Sequence, residues 1–277
     1  MLRSVNDLLN CMVFGIDSYL GPVRDVYFDD SEWVLRYLVI EMSEPAISSH
    51  HLISPLSIKD IRYERKEIYV NIYYDKIINS PEIDINLPIS RQNEIALRRY
   101  YEWPIYWGQS EFFDTPPLPG FQKPSIPFDE STEMFSEDED FEQLREEPNG
   151  EEFMESEFAR SEEEVTYSNN LRSHSEITGY RIKTVDTDNS FVIDLIYNDS
   201  DWVVNYLTLD VGNTYSKEFI LLTIKWISDI DWSKSRIKIT LDQECLDKAP
   251  RLSEDQRVTK EYERKINIYY DSFNHNI

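Results

Sequence analysis

Residues 25–37 read Asp-Val-Tyr-Phe-Asp-Asp-Ser-Glu-Trp-Val-Leu-Arg-Tyr, and residues 194–206 read Asp-Leu-Ile-Tyr-Asn-Asp-Ser-Asp-Trp-Val-Val-Asn-Tyr. Asp25/Asp194, Asp30/Asp199, Ser31/Ser200, Trp33/Trp202, Val34/Val203 and Tyr37/Tyr206 all lie 169 positions apart. The chain is a duplication, and the offset holds without an insertion from Leu2/Leu171 to Tyr101/Tyr270. The copies share roughly a fifth of their residues, so what survives in both reports on the fold.

Around this stretch the periodicity is that of strands. Cys11–Ile16 and Val23–Phe28 suit strands, with a turn expected over Asp17–Pro22. Asp29-Asp30-Ser31-Glu32 supplies short polar side chains for the next turn, which favours turn chemistry over a metal or acid–base cluster. Trp33–Met42 is apolar at nearly every position, as in a strand covered on both faces across a small barrel. Ile68, Val70 and Ile72 alternate at the same offset as Ile237, Ile239 and Leu241. A short helix over Asp75–Asn79 and a longer one from Ser90 to Tyr101 follow, with Ile89, Leu97 and Tyr100 at helical spacing and Ser90 and Thr259 as N-caps. Trp33, Tyr37, Trp202 and Tyr206 are expected in the core.

The 277 residues divide into a first domain over 1–108, a linker over 109–170 and a second, diverged domain over 171–277. The linker opens with prolines and then carries 19 acidic residues against three basic ones, the larger part of the net charge of −25. Such a composition favours disorder, yet eight phenylalanines, Phe135 and Phe141 among them, recur through it as in a segment that meets a partner. The flexible length spans about 45 Å, enough for any mutual orientation of the copies.

The charge argues against nucleic-acid binding and against electrostatic attachment to anionic membranes. The longest apolar run contains Arg36 and Glu41, no membrane insertion is expected, and the cytoplasm is the expected location. Cys11 and Cys245 do not correspond between copies, so neither a disulfide framework nor a zinc site is implied. His50 and His51 are adjacent, a poor chelating pair read as loop or surface residues. Seven glycines, no phosphate loop and no nucleophile elbow leave no catalytic, cofactor or metal residue to name.

Leu-Arg-Ser at the start, Val-Arg-Asp-Val-Tyr-Phe-Asp-Asp-Ser-Glu-Trp-Val-Leu-Arg-Tyr-Leu-Val-Ile, Leu-Ile-Ser-Pro, Asn-Ser-Pro-Glu-Ile-Asp and Tyr-Tyr-Glu-Trp-Pro-Ile-Tyr-Trp together resemble the PRC-barrel family. That family includes the cytoplasmic domain of the photosynthetic reaction-centre H subunit and the C-terminal domain of a ribosome-maturation factor. The resemblance covers residues 1–107 and, more weakly, 171–271. It implies a mainly β chain of two small PRC-type β-barrels, each followed by one or two short helices, serving as docking modules without an active site.

Two functions follow. One is a cytoplasmic, non-catalytic adaptor with a protein partner, its barrels paired as a pseudo-dimer within the chain and a homo-oligomer left open. The alternative is an accessory module like the H subunit, tuning electron or proton transfer in a partner, or binding a small ligand between the barrels. Tyr101, Trp103, Tyr106 and Trp107 in the aromatic tail either cover the open end of the first barrel or form a protein-binding patch.

Overall fold

The computed structural model describes residues 1–43, 48–81, 89–107, 170–188, 190–212, 218–252 and 258–273. The first copy contains β1 (Leu2–Ser4), β2 (Met12–Phe14), β3 (Tyr19–Asp29), β4 (Val34–Ser43), β5 (Ser48–Ile53), β6 (Ile58–Arg62) and β7 (Glu67–Val70), then helices α1 (Tyr74–Ile78) and α2 (Arg91–Tyr101). The second repeats them as β8 (Leu171–Ser173), α3 (His174–Ile177), β9 (Arg181–Lys183), β10 (Ser190–Asn198), β11 (Val204–Asp210), β12 (Phe219–Thr223), β13 (Ile227–Asp231), β14 (Arg236–Ile239), α4 (Gln243–Lys248) and α5 (Lys260–Asp271). The protein is mainly β. Each sheet follows one path, β5-β4-β3-β2-β7-β6 or β12-β11-β10-β9-β14-β13, with no pairing that joins its two ends among the described residues.

The seventh strand of each sheet comes from the other copy. β1 pairs antiparallel with β10, Arg3 opposite Tyr197, and β8 pairs antiparallel with β3, Arg172 opposite Phe28. The exchange is reciprocal to the residue, and the two copies form one compact unit. A short amphipathic strand cannot leave its backbone groups unpaired at a buried edge, so each copy completes the other's hydrogen bonding.

The turn before β4 makes a second crossing. Trp33 and Trp202 sit in left-handed backbone at φ 56° and 62°, a conformation costing roughly 1 kcal/mol or more for a residue with a side chain. Each N–H closes a five-residue turn, Trp33 on the Asp29 carbonyl and Trp202 on that of Asn198, both at 2.8 Å. Each carbonyl then accepts from the other copy: Val204 N–H donates to Trp33 at 2.7 Å, and Leu35 N–H to Trp202 at 2.9 Å. The indoles stack on Phe28 at 5.5 Å and Tyr197 at 5.3 Å, which offsets the strain. Trp33 thus belongs to the turn, and the strand begins one residue later. Tyr37, Tyr206, Trp33 and Trp202 are all buried.

Two readings of the sequence need correction. Leu20-Gly21-Pro22 is strand, not turn: the chain reverses at Gly15–Ser18, and Gly21 (φ 134°) lies against the Glu41 backbone, where a Cβ would come within 2.1 Å of the carbonyl oxygen. His51 is buried in β5 with its ring nitrogens 2.9 Å from the hydroxyls of Ser49 and Ser80, while His50 faces outward, because neighbours on a strand point to opposite faces.

Deleting residues 1–4 should therefore deprotect the second copy. Amide exchange at Ile196–Asn198 is expected to rise at least about tenfold by mass spectrometry, with a smaller change at β2, their nearest neighbour in sequence.

Candidate functional site

Three places carry chemistry: the junction of the copies, the aromatic tail and the outer face of the first sheet.

At the junction three polar contacts between the copies each recur 169 residues on. Ser173 Oγ donates to Asp25 at 2.6 Å, and Ser4 Oγ to Asp194. Ser175 N–H reaches Asp25 at 3.2 Å, and Asn6 N–H reaches Asp194 at 3.3 Å. Arg172 pairs with Asp30 at 3.2 Å and lies over Trp232 at 4.4 Å; Arg3 pairs with Asp199 at 3.5 Å and lies over Tyr63 at 4.1 Å. Burial pushes the Asp30 carboxyl up, against the pull of Arg172. Asp29 does turn chemistry, accepting from the Ser31 N–H, the Ser31 hydroxyl and the Glu32 N–H at 2.6–3.0 Å. Asp29, whose counterpart is Asn198, thus serves the turn, while the repeated carboxylates Asp25/Asp194 and Asp30/Asp199 form a reciprocal clamp, and the charge detail that holds the copies together has not drifted.

The aromatic tail turns inward. Helix α2 buries Arg91, Glu94, Leu97, Arg98 and Tyr101 on one stripe, with Glu94 and Arg98 at 0% and 1% exposure. Glu94 accepts from Tyr37 at 2.9 Å and Tyr106 at 2.8 Å, and pairs with Arg91 at 3.0 Å and Arg98 at 3.7 Å. Arg36 and Arg98 lie over the Tyr106 ring at 3.7 and 4.4 Å, Arg91 lies over Trp107 at 4.1 Å, and Arg98 donates to the Pro104 carbonyl. Tyr101 stacks on Trp103 at 4.2 Å, and the Trp103 indole donates to Ser57 at 3.1 Å. The tail is a lid fastened by three arginines over one carboxylate. Phe135 and Phe141 lie outside the described residues.

Among the described residues the second copy shows no such network. There Tyr206 donates to Asn267, the counterpart of Arg98, at 2.8 Å. Burial raises the Glu94 carboxyl above its usual range, opposed by Tyr106, Arg98, Tyr37 and Arg91. The folded chain therefore holds this proton more tightly than the unfolded one, so the contribution of this group is fully present at low pH and is lost as pH rises through the raised value. An apolar-only reading of α2 missed the stripe. The spacing of Arg91, Glu94, Arg98 and Tyr101 is itself helical and carried the signal.

The outer face of the first sheet was not singled out from sequence. Tyr19 on β3, Phe14 on β2 and Tyr69 on β7 form a ladder of rings, Phe14 lying 5.5 Å from Tyr19 and 5.4 Å from Tyr69. Arg62 on β6 continues it over Tyr69 at 4.6 Å. Met12 lies on the same side of β2 as Phe14, 41% exposed, and Tyr19 is 48% exposed. At the counterpart positions of Met12, Phe14, Glu67 and Tyr69 the second copy places Arg181, Lys183, Arg236 and Lys238. Two of those cations meet carboxylates of their own copy: Lys238 pairs with Asp229 at 2.5 Å, and Arg236 with Asp188 at 3.1 Å. An open cleft nearby is lined by Arg3, Ile61, Arg62, Tyr63, Glu64 and Arg65, but Arg3 and Arg62 are already engaged by Asp199, Asp60 and Glu67.

Replacing Arg98 with Met should destabilise the protein by about 3 kcal/mol or more, since it strips a buried carboxylate of a partner, and should move the titration of Glu94 further up. Tyr106→Phe should cost about 1–2 kcal/mol. Urea unfolding measures both.

Residues 2–77 match the family model of the PRC-barrel domain. No curated protein matches the chain. The match ends within α1, so α2 and the aromatic tail lie beyond it. The second copy repeats the strand order and the strand exchange of the first and is its structural duplicate. Over residues 2–77, the strands of the first copy and most of α1, the chain is similar to the PRC-barrel domain.

Proposed function

We propose that the chain is a non-catalytic, cytoplasmic protein-docking module, and that the outer face of its first copy is the docking surface. The observation that carries this reading is the contrast between the copies. Cross-strand ring ladders stabilise sheets, and that would account for Tyr19, Phe14 and Tyr69 if the fold required them. The second copy builds the same sheet with Asp188, Lys183 and Lys238 in those places, so the fold does not. Half-exposed rings and a methionine side by side are the side chains from which binding surfaces are made. The reading in which a ligand or proton path lies between the copies draws no support from a junction of buried Phe28, Trp33, Val34, Tyr197, Trp202 and Val204 with its carboxylates hydrogen-bonded.

Affinity capture with the full chain tests the reading. The Phe14→Lys/Tyr69→Lys double variant is expected to lose a protein that the parent retains. Deletion of residues 109–170 in parallel shows whether the acidic segment contributes. Identical captured sets from parent and double variant would sink the proposal.

A further inference from the structure

The chemistry of the partner follows from the same face, and this inference rests on the docking reading above. The second copy serves as an internal template for what the face can hold. Its outer lattice carries four cations, Arg181 beside Arg236 and Lys183 beside Lys238, in register on β9 and β14. The carboxylate opposite Lys238 is Asp229. In the first copy the corresponding aspartate is kept as Asp60, still opposite the ladder position, but that position is now Tyr69. Glu67 replaces Arg236, and Phe14 and Met12 replace Lys183 and Arg181. The four cations are gone; of the second copy's carboxylates Asp229 is kept as Asp60, Asp188 and Asp231 give way to Tyr19 and Arg62, and Glu67 is gained.

Ring faces are electron-rich and take guanidinium or ammonium groups within about 6 Å of the centroid. One such contact is already made, by Arg62 over Tyr69 at 4.6 Å, and Arg62 is neutralised by Asp60 at 3.2 Å and Glu67 at 3.7 Å. The rings of Phe14 and Tyr19 continue the ladder beyond it. Met12 adds a polarisable apolar surface for the methylene stems of long cationic side chains. A net charge of −25 draws cationic segments toward the chain as a whole, and the ladder supplies the local selectivity.

We propose that the Tyr19–Phe14–Tyr69 ladder docks a cationic segment of a protein partner, with arginine or lysine side chains lying over the rings and within reach of Asp60 and Glu67. Where the second copy carries four cations of its own on this face, the first carries Arg62 and takes the others from outside.

The probe is a labelled peptide alternating arginine and glycine and carrying a photo-reactive group, titrated into the full chain at physiological ionic strength. Binding should weaken by about tenfold in Phe14→Lys/Tyr69→Lys, the loss of two ring contacts, while thermal unfolding stays close to the parent because the second copy holds lysines at these positions. Should the double variant fail to fold, Tyr19→Asp, the residue found at position 188, gives the same reading from a half-exposed site. Cross-links are expected within residues 12–19 and 67–69. Cross-links confined to residues 129–164 with unchanged affinity in the variants would overturn the proposal, because cations would then simply follow the acidic segment. Self-association of the chain that the double variant abolishes would overturn it too, by making the second copy the occupant. A neutral apolar peptide that binds the parent but not the variant, when the cationic one binds neither, would end the cationic inference and leave the docking reading standing.

Discussion

Each sheet has an edge that its own copy does not cover. The backbone groups at the end of β3 are paired by Leu171–Ser173, and those at the end of β10 by Leu2–Ser4. Buried amides and carbonyls without partners cost more than a short strand's entropy, so the two copies are bound to fold against one another. The left-handed tryptophans follow from the same constraint. A turn in ordinary backbone would not bring the Trp33 and Trp202 carbonyls to Val204 and Leu35, and the strain is tolerated because the contact is made twice. Asp25, accepting from the Ser173 hydroxyl and the Ser175 N–H, and Asp194, accepting from the Ser4 hydroxyl and the Asn6 N–H, hold the donated strands in register.

On this frame the copies have gone separate ways at two surfaces. In the first, the polar stripe of α2 lies beneath a tail of tyrosine and tryptophan. Buried arginines so placed are costly to desolvate, and the tail lessens the cost with ring faces and a shared carboxylate. The second copy avoids it with Asn267 in place of Arg98. The aromatic tail therefore spends most of its rings on its own domain, with Ile105 as its exposed apolar residue.

The second divergence is on the outer sheet face, where one copy carries four cations, two of them paired with its own aspartates, and the other a ladder of rings beside the Arg62–Asp60–Glu67 cluster. A duplication within one chain separates fold from function without any alignment. Residues kept in both copies are those the fold uses, and a face whose chemistry changes while its strands do not is free to take on a partner.

The sequence by itself determined the duplication, the strand order that the repeat implies, the burial of Trp33, Tyr37, Trp202 and Tyr206, and the N-caps at Ser90 and Thr259. These rest on local periodicity and on hydrogen bonds within a few residues, which a linear pattern records. Only the tertiary structure decided that Leu-Arg-Ser leaves its own copy, that Asp25 and Asp30 serve the opposite one, and that Gly21 is a strand residue pressed against Glu41. It also decided that Arg98 and Glu94 are core and that Phe14, Tyr19 and Tyr69 form one surface. Those facts depend on which strands become neighbours across distances as long as that from Leu2 to Asn198, and pairing of that kind is set by the packing of the whole rather than by the alternation of any one segment.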